Sequence, residues 1–316
     1  MAAHTSTQSP EAAPSPRPEP EPEPAPGGSR WEQLTHLPAA LWSNHGAELA
    51  RVTAIDLAVL AGHLLLYPTG ILPERADGPP PDPPRTGEGP EGDRPAAVTP
   101  AFPPAGERAH PPVLLLHGFV DNRSAFALLR RSLRRHGWDR VQALNYSPLT
   151  GDIRNAAAML GPHIEQVCAQ SGHPRVDIVG HSLGGLVARY YVQRLGGDAR
   201  VRTLVTMGTP HAGTRAVPAL APHPLARQMR PGSEVLRELA GPAQGCRTRF
   251  VAFWSDLDQL MIPVESARLD HPDLLVQNVK VSGIGHLSLP VHGSVAAEVR
   301  RALSGAGSLR EAIDAA

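Results

Sequence analysis

Cysteine is nearly absent from the chain, with Cys168 and Cys246 the two examples in 316 residues. That excludes a disulfide framework and a cysteine-rich zinc module. Both thiols are expected to be free, with a single bridge left open because it turns on distances that a sequence does not contain. Lysine is scarcer still: Lys280 stands alone, and arginine supplies the other basic charges, 30 in all against 30 acidic ones. A net charge of zero with no clustered basic face excludes a nucleic-acid partner. Aromatic residues make up 4%, too few for a broad aromatic binding platform. The longest apolar run, Leu57–Tyr67, has 11 residues, below the roughly 18–20 that span a bilayer. Asp56 and His63 argue further against spanning. The N-terminus has no basic start, apolar stretch or small-residue cleavage site. A cytoplasmic or membrane-peripheral location is therefore favoured, with export left open. The histidines form no zinc pattern, and neither metal nor cofactor is expected.

What is abundant is proline, and it is unevenly spread. Of 35 prolines, 23 fall in residues 1–112. Residues 1–30 alternate Pro and Glu and end in Gly27-Gly28-Ser29, a composition with too little apolar area to offset ordering entropy. Residues 31–72 differ: Trp31, Leu34, Leu37, Leu41, then Leu49, Val52, Ile55, Val59, Leu60 and Leu64 recur at helical spacing. Pro38 is expected to split this segment into two helices. Packing on the body of the protein is favoured, with a peripheral membrane anchor through 49–67 as the lesser option. Residues 73–111 return to Pro and Gly and are expected to form a linker. The catalytic domain is placed at 112–304, and 305–316 is a C-terminal tail.

From Pro112 onward strand-like and helix-like segments alternate. Strands are expected at 113–116, 141–144, 176–179, 201–207, 250–254 and 274–281. Helices are expected at 123–136, 153–169, 183–195 and 291–303. Such alternation implies an α/β fold: a mainly parallel central sheet with helices on both faces. Ligands in such sheets bind beyond the carboxyl ends of the strands.

One segment carries the chemistry. Gly180-His181-Ser182-Leu183-Gly184 is a G-x-S-x-G motif between an apolar strand and a helix. A strand turning straight into a helix projects the serine hydroxyl at the top of the sheet, and the flanking glycines clear space around it. Serine needs a base, and the base needs an orienting carboxylate. His286 follows the last strand inside Ser282-Gly283-Ile284-Gly285-His286 and is the expected base. His271 precedes that strand, and His292 begins the last helix. The other 14 histidines are expected at the surface or in loops. Asp258, in Ser255-Asp256-Leu257-Asp258 after the fifth strand, is the expected acid. Asp256 is second, because it can as easily cap the turn. Backbone N–H groups of Phe119, after the first strand, and Leu183, after the nucleophile, are the expected oxyanion donors. His117 is expected to brace the loop that holds Phe119.

These residues resemble the bacterial lipases and esterases of the α/β-hydrolase superfamily, particularly the triacylglycerol lipases and relatives of the small secreted bacillary lipase. Leu116-His117-Gly118-Phe119, Gly180 through Gly185, Gly208 through Thr214, Ser255 through Asp258 and Gly283 through His286 carry the likeness in the expected order. The family's S-x-x-D pattern favours Asp258. The resemblance implies hydrolysis of lipid or acylglycerol esters through an acyl-enzyme on Ser182. It also implies that the insertion over 214–244 is a lid or acyl-pocket wall. The likeness does not extend over residues 1–110. An acyltransferase or thioesterase could use the same machinery. A catalytically silent binding protein with a Pro-rich leader is the reading from another class.

Overall fold

The strand Val113–Leu116 (β1) is buried at every position, and so is Val176–His181 (β3). Continuous apolar strands of this kind are stable when both sheet faces are covered. A computed structural model shows how they are covered; it describes residues 44–71, 110–119, 121–145 and 151–305. The expected tail at 1–30, the helical piece ahead of Pro38, the linker at 73–111 up to residue 109 and the C-terminal tail beyond Gly305 lie outside the described residues. From Ala47 onward the described residues belong to one unit.

β1 and β3 join Val141–Leu144 (β2), Val201–Met207 (β4), Arg249–Ser255 (β5) and Leu275–Val281 (β6) in one sheet of order β2-β1-β3-β4-β5-β6. Every pairing is parallel. Alternate side chains serve opposite layers, as the strand period requires. Leu114, Leu116 and Ile178 enter one core, shared with the helices Ile153–Ala158, Leu160–Ser171 and Leu183–Arg194. Val113, Leu115 and Val179 enter the other, covered by the helices Ala127–Arg135 and Gly293–Ser304. This is the α/β-hydrolase architecture expected from the sequence, with helices on both faces. Asp177 is fully buried within β3, where Arg202 grips it with Nε 2.9 Å from Oδ1.

The site is positioned by the order in which the strands are laid down. The chain steps from β1 outward to β2, then returns to the other side of β1 as β3. That reversal opens a crevice beyond the carboxyl ends of β1 and β3. Leu116 registers with Gly180, so the loops after both strands emerge side by side.

Three local features depart from the sequence expectation. The single helix expected over 153–169 is two, broken at Met159. Pro162 has no N–H to donate to Ala158, and its ring crowds that carbonyl. In the insertion at 214–244 the sequence marks one helical piece, Ser233–Leu239, and the structure holds two, Pro224–Gln228 and Glu234–Ala240. N-terminally, one continuous 28-residue helix runs from Asn44 to Ile71, hereafter α1. Residues 46–68 of it, at mean hydropathy 1.7, are long and apolar enough to cross a membrane. Counting from Leu57 understated this stretch, because the alanine-rich turns before Asp56 extend it. Val52 and His63 are buried against the body, while Leu57, Leu64 and Leu65 are 60%, 64% and 81% exposed.

Candidate active site

Ser182 sits where β3 turns into the helix Leu183–Arg194. Among the described residues it alone is a non-glycine with positive φ (52°). Such a conformation costs about 1–3 kcal/mol and persists where its surroundings enforce it. Here the enforcement is explicit. The Ser182 N–H donates to the Met207 carbonyl at 2.9 Å, and the Ser182 carbonyl accepts from Gly185 N–H at 3.1 Å. A Cβ on Gly184 would run into the Leu116 and His117 carbonyl oxygens, so the helix can approach β1 only through a glycine. Leu183 is the first residue of the helix, where N–H groups have no intrahelical partner.

The structure brings His286 and Asp258 together. Nδ1–H of His286 donates to Asp258 Oδ2 at 2.8 Å, with both residues almost fully buried. Asp258 Oδ1 accepts from the N–H groups of Leu260 and Met261, at 3.0 and 3.1 Å. Ser255 Oγ donates to the Ile284 carbonyl at 2.5 Å, tying the end of β5 to the loop that carries the histidine. Gly208 leaves room for the pair: a Cβ there would lie 2.9 Å from Asp258 Oδ2 and 3.0 Å from His286 Nδ1. Burial opposes the imidazolium of His286. The Asp258 carboxylate, with Asp56 and Asp121 behind it, outweighs burial and lifts the pKa above the ordinary histidine value. Asp256, the second candidate, instead accepts from Gly283 N–H at 3.1 Å and pairs with Lys280 at the surface.

The loop after β1 lies against Ser182. A Cβ on Gly118 would be 3.4 Å from Ser182 Cβ and 3.3 Å from His181 Nδ1. His117 is buried, and its Nδ1–H donates to the Gly118 carbonyl at 2.8 Å. Phe119 is half-buried, its ring edge-on to His223 with centroids 4.9 Å apart. Its side chain therefore meets the insertion, which the sequence did not indicate. Ser182, His286, Gly118 and Phe119 line a cavity of about 260 Å³ with Val217, Ala226, Met229 and Met261. Its walls are mostly apolar, and one side comes from the segment 214–229.

Sequence reasoning missed a buried polar cluster. His63, His117, His181 and His211 are all buried. His117 and His211 lie in loops as expected, whereas His63 in α1 and His181 in β3 correct the expectation that the histidines other than His286 lie at the surface or in loops. Asp121 Oδ1 accepts from His63 Nδ1–H at 3.1 Å, and Oδ2 lies 3.6 Å from His181 Nδ1. His181 Nε2–H donates to the His286 carbonyl at 3.1 Å, with the two rings 4.8 Å apart. Burial works against the Asp121 carboxylate, but its two histidine partners hold it well below the usual range. Burial pushes His181 down, against the pull of Asp121. His211 meets Thr206 Oγ1 at 2.9 Å, and burial drives its pKa far below the ordinary value. Among the described residues no group of three or more His, Cys, Asp or Glu side chains could hold a metal ion.

Residues 112–262, from β1 through the loop that carries Asp258, match the family model described as palmitoyl protein thioesterase. A triacylglycerol lipase of Pseudarthrobacter phenanthrenivorans is 31% identical over 111 residues, 33% of this chain and 34% of that protein. The Burkholderia plantarii triacylglycerol lipase is also 31% identical over 111 residues, 33% of this chain and 30% of its own length. Over these residues the chain is similar to lipases and thioesterases. It spans about a third of the length of the two lipases it matches. The shared fold is seen in Aspergillus fumigatus lipase B, with TM-score 0.56 and 20% identity over 65% of this chain and 55% of that one. It is seen again in mature Bacillus licheniformis lipase BlEst2, with TM-score 0.52 and 17% identity over 62% of this chain and 92% of the other.

Proposed function

We propose that the protein hydrolyses carboxylic esters of lipids or acylglycerols through an acyl-enzyme on Ser182. The observation that carries this is the buried His286–Asp258 hydrogen bond of 2.8 Å, beside a serine held at positive φ in an apolar cavity. Because Nδ1 of His286 is occupied by the carboxylate, Nε2 is the nitrogen left to take a proton. In this mechanism Ser182 Oγ attacks the ester carbonyl and His286 takes its proton. Asp258 fixes the imidazole and stabilises the cation. His286 then returns the proton to the leaving alcohol. Water repeats the cycle and frees the acid. The N–H groups of Phe119 and Leu183 receive the oxyanion, each such donor being worth roughly 3–4 kcal/mol. The catalytic unit in this scheme runs from 112 to 304.

Thioesters are the second substrate class, favoured by the palmitoyl protein thioesterase match. The test is a panel of nitrophenyl esters and palmitoyl thioesters of graded chain length, with fluorophosphonate labelling. Wild type should turn over at least one class and be labelled, and Ser182→Ala should do neither. Labelling or turnover that survives in Ser182→Ala sinks the assignment.

Peripheral membrane association through 49–67 belongs to the same proposal. Its support is the exposed apolar face of α1 around Leu57, Leu64 and Leu65. Replacing these three leucines by serine should release the protein from phosphatidylcholine vesicles in a flotation assay. Unchanged flotation, or no flotation of the wild type, counts against the association.

A further inference from the structure

Four residues of α1, Thr53, Asp56, His63 and Tyr67, meet the rim of the site. Thr53 Oγ1 accepts from Gln259 Nε2 at 2.6 Å, beside Asp258. His63 donates to Asp121 at 3.1 Å, and the Tyr67 carbonyl accepts from Asn122 Nδ2 at 2.8 Å, both in the loop after β1. Asp56 reaches the segment that follows His286. Its Oδ2 accepts from Leu287 N–H at 3.2 Å, and its Oδ1 accepts from Ser288 N–H at 3.1 Å and Ser288 Oγ at 2.6 Å. The carboxylate comes so close to Gly285 that a Cβ there would run into it. One helix thus touches the loops that carry Phe119, Asp258 and His286.

We propose that Asp56 is a positioning residue for His286, which makes α1 a working part of the catalytic site. The inference rests on the hydrolase reading above. A carboxylate accepting three hydrogen bonds from two successive residues fixes the backbone immediately after the imidazole. Charge-assisted bonds of this kind are among the strongest available to a loop. An offset of about 1 Å at a reacting group can cost roughly 100-fold in rate. Asp56 also acts at a distance on His286, whose imidazolium is favoured by Asp258, Asp56 and Asp121 and disfavoured by burial. His181 is the other titratable group in contact with that ring.

The test is Asp56→Asn in the full chain, assayed against the best nitrophenyl ester across pH. Asparagine keeps the shape but turns an NH2 toward N–H donors. The expected result is a kcat lower by about 10- to 100-fold with KM little changed. The acid limb of kcat/KM should move to lower pH, a shift that a merely structural residue would not produce. Wild-type kcat and an unmoved acid limb in Asp56→Asn overturn the proposal and leave the hydrolase reading intact. A wild type inert to every ester, thioester and fluorophosphonate overturns both. If Asp56→Asn does not fold, Ser288→Ala decides, since it removes one of the three bonds and leaves both N–H groups. A folded Ser288→Ala with lowered kcat supports the role, and one with wild-type kcat ends it.

Discussion

His63 on α1 donates to Asp121 in the loop after β1 at 3.1 Å, across 58 residues of sequence, with both side chains buried. Asp121 in turn faces His181, the residue before Ser182. Removing one partner of such a pair leaves the other without compensation, which typically costs about 3–5 kcal/mol. Asp121→Asn retains some hydrogen bonding, so a loss of about 2–4 kcal/mol is expected by denaturant unfolding at pH 7. The pH dependence follows from the depressed carboxyl. A group with its folded pKa lowered stabilises above its unfolded pKa and loses that contribution as pH falls through the folded value. Wild type should therefore lose stability below about pH 4, and Asp121→Asn should lose less. Parallel acid curves for the two proteins would refute the assignment.

Ser182 predicts a trade between stability and chemistry. Its φ of 52° is strained for any residue with a Cβ. Ser182→Gly should raise the unfolding free energy by about 1 kcal/mol or more while abolishing turnover. Ser182→Ala should abolish turnover without that gain, since alanine inherits the strain. Equal stability of the two variants would mean the turn is not strained.

How much of this was legible in the sequence differs from one residue to the next. The β3–Ser182–helix unit is local, and its apolar strand, glycines and helical periodicity lie within one stretch of chain. The six strands follow from short apolar runs for the same reason. Asp121, His63 and Asp56 give no comparable signal, because their partners lie as far as 232 residues away. A trace was nevertheless present. Asp56 and His63 are seven apart and therefore on one face of α1, the face that carries Val52. Polar residues on the buried stripe of an otherwise apolar helix need partners, and those partners turn out to be loops of the site. The break at Met159 was also visible in principle, through Pro162.

Glycine positions discriminate between packing and conformational freedom. Gly184→Ala places a methyl group against the Leu116 and His117 carbonyl oxygens. It should cost more than about 3 kcal/mol or prevent folding, as overpacking against backbone does. Gly293, at the start of the last helix, has open space around it, and its φ is not positive. Gly293→Ala should fall within about 0.5 kcal/mol of wild type. Thermal unfolding of the pair makes the comparison, and equal effects would refute the close approach.

In the proposed mechanism the His286–Asp258 pair sets the pH profile. The imidazole must be neutral to accept the Ser182 proton, so kcat/KM should fall on the acid side with an apparent pKa above about 6.5. Asp258 is the leading influence that raises His286 against burial. Asp258→Asn removes it, so the acid limb should move to lower pH. Loss of tautomer control should reduce kcat by about 10⁴-fold at the same time. A variant that loses rate but keeps the wild-type acid limb would mean another group sets the titration.

The last prediction concerns chain length. Val217, Ala226 and Met229 come from the insertion and face the same cavity as Ser182. The volume of about 260 Å³ is close to the lower end for small-molecule sites. Phe119 meets this wall through His223, which caps the helix Pro224–Gln228, so the wall is tied to the loop beside the nucleophile. If acyl chains lie along this wall, Ala226→Phe should shorten the accepted chain. An added ring takes space from the cavity. The expected result is a drop of about 10- to 200-fold in kcat/KM for long nitrophenyl esters, with acetate turnover nearly unchanged. Uniform loss across all lengths would show that the substitution disturbs the triad. An unchanged profile would mean the acyl chain takes another route.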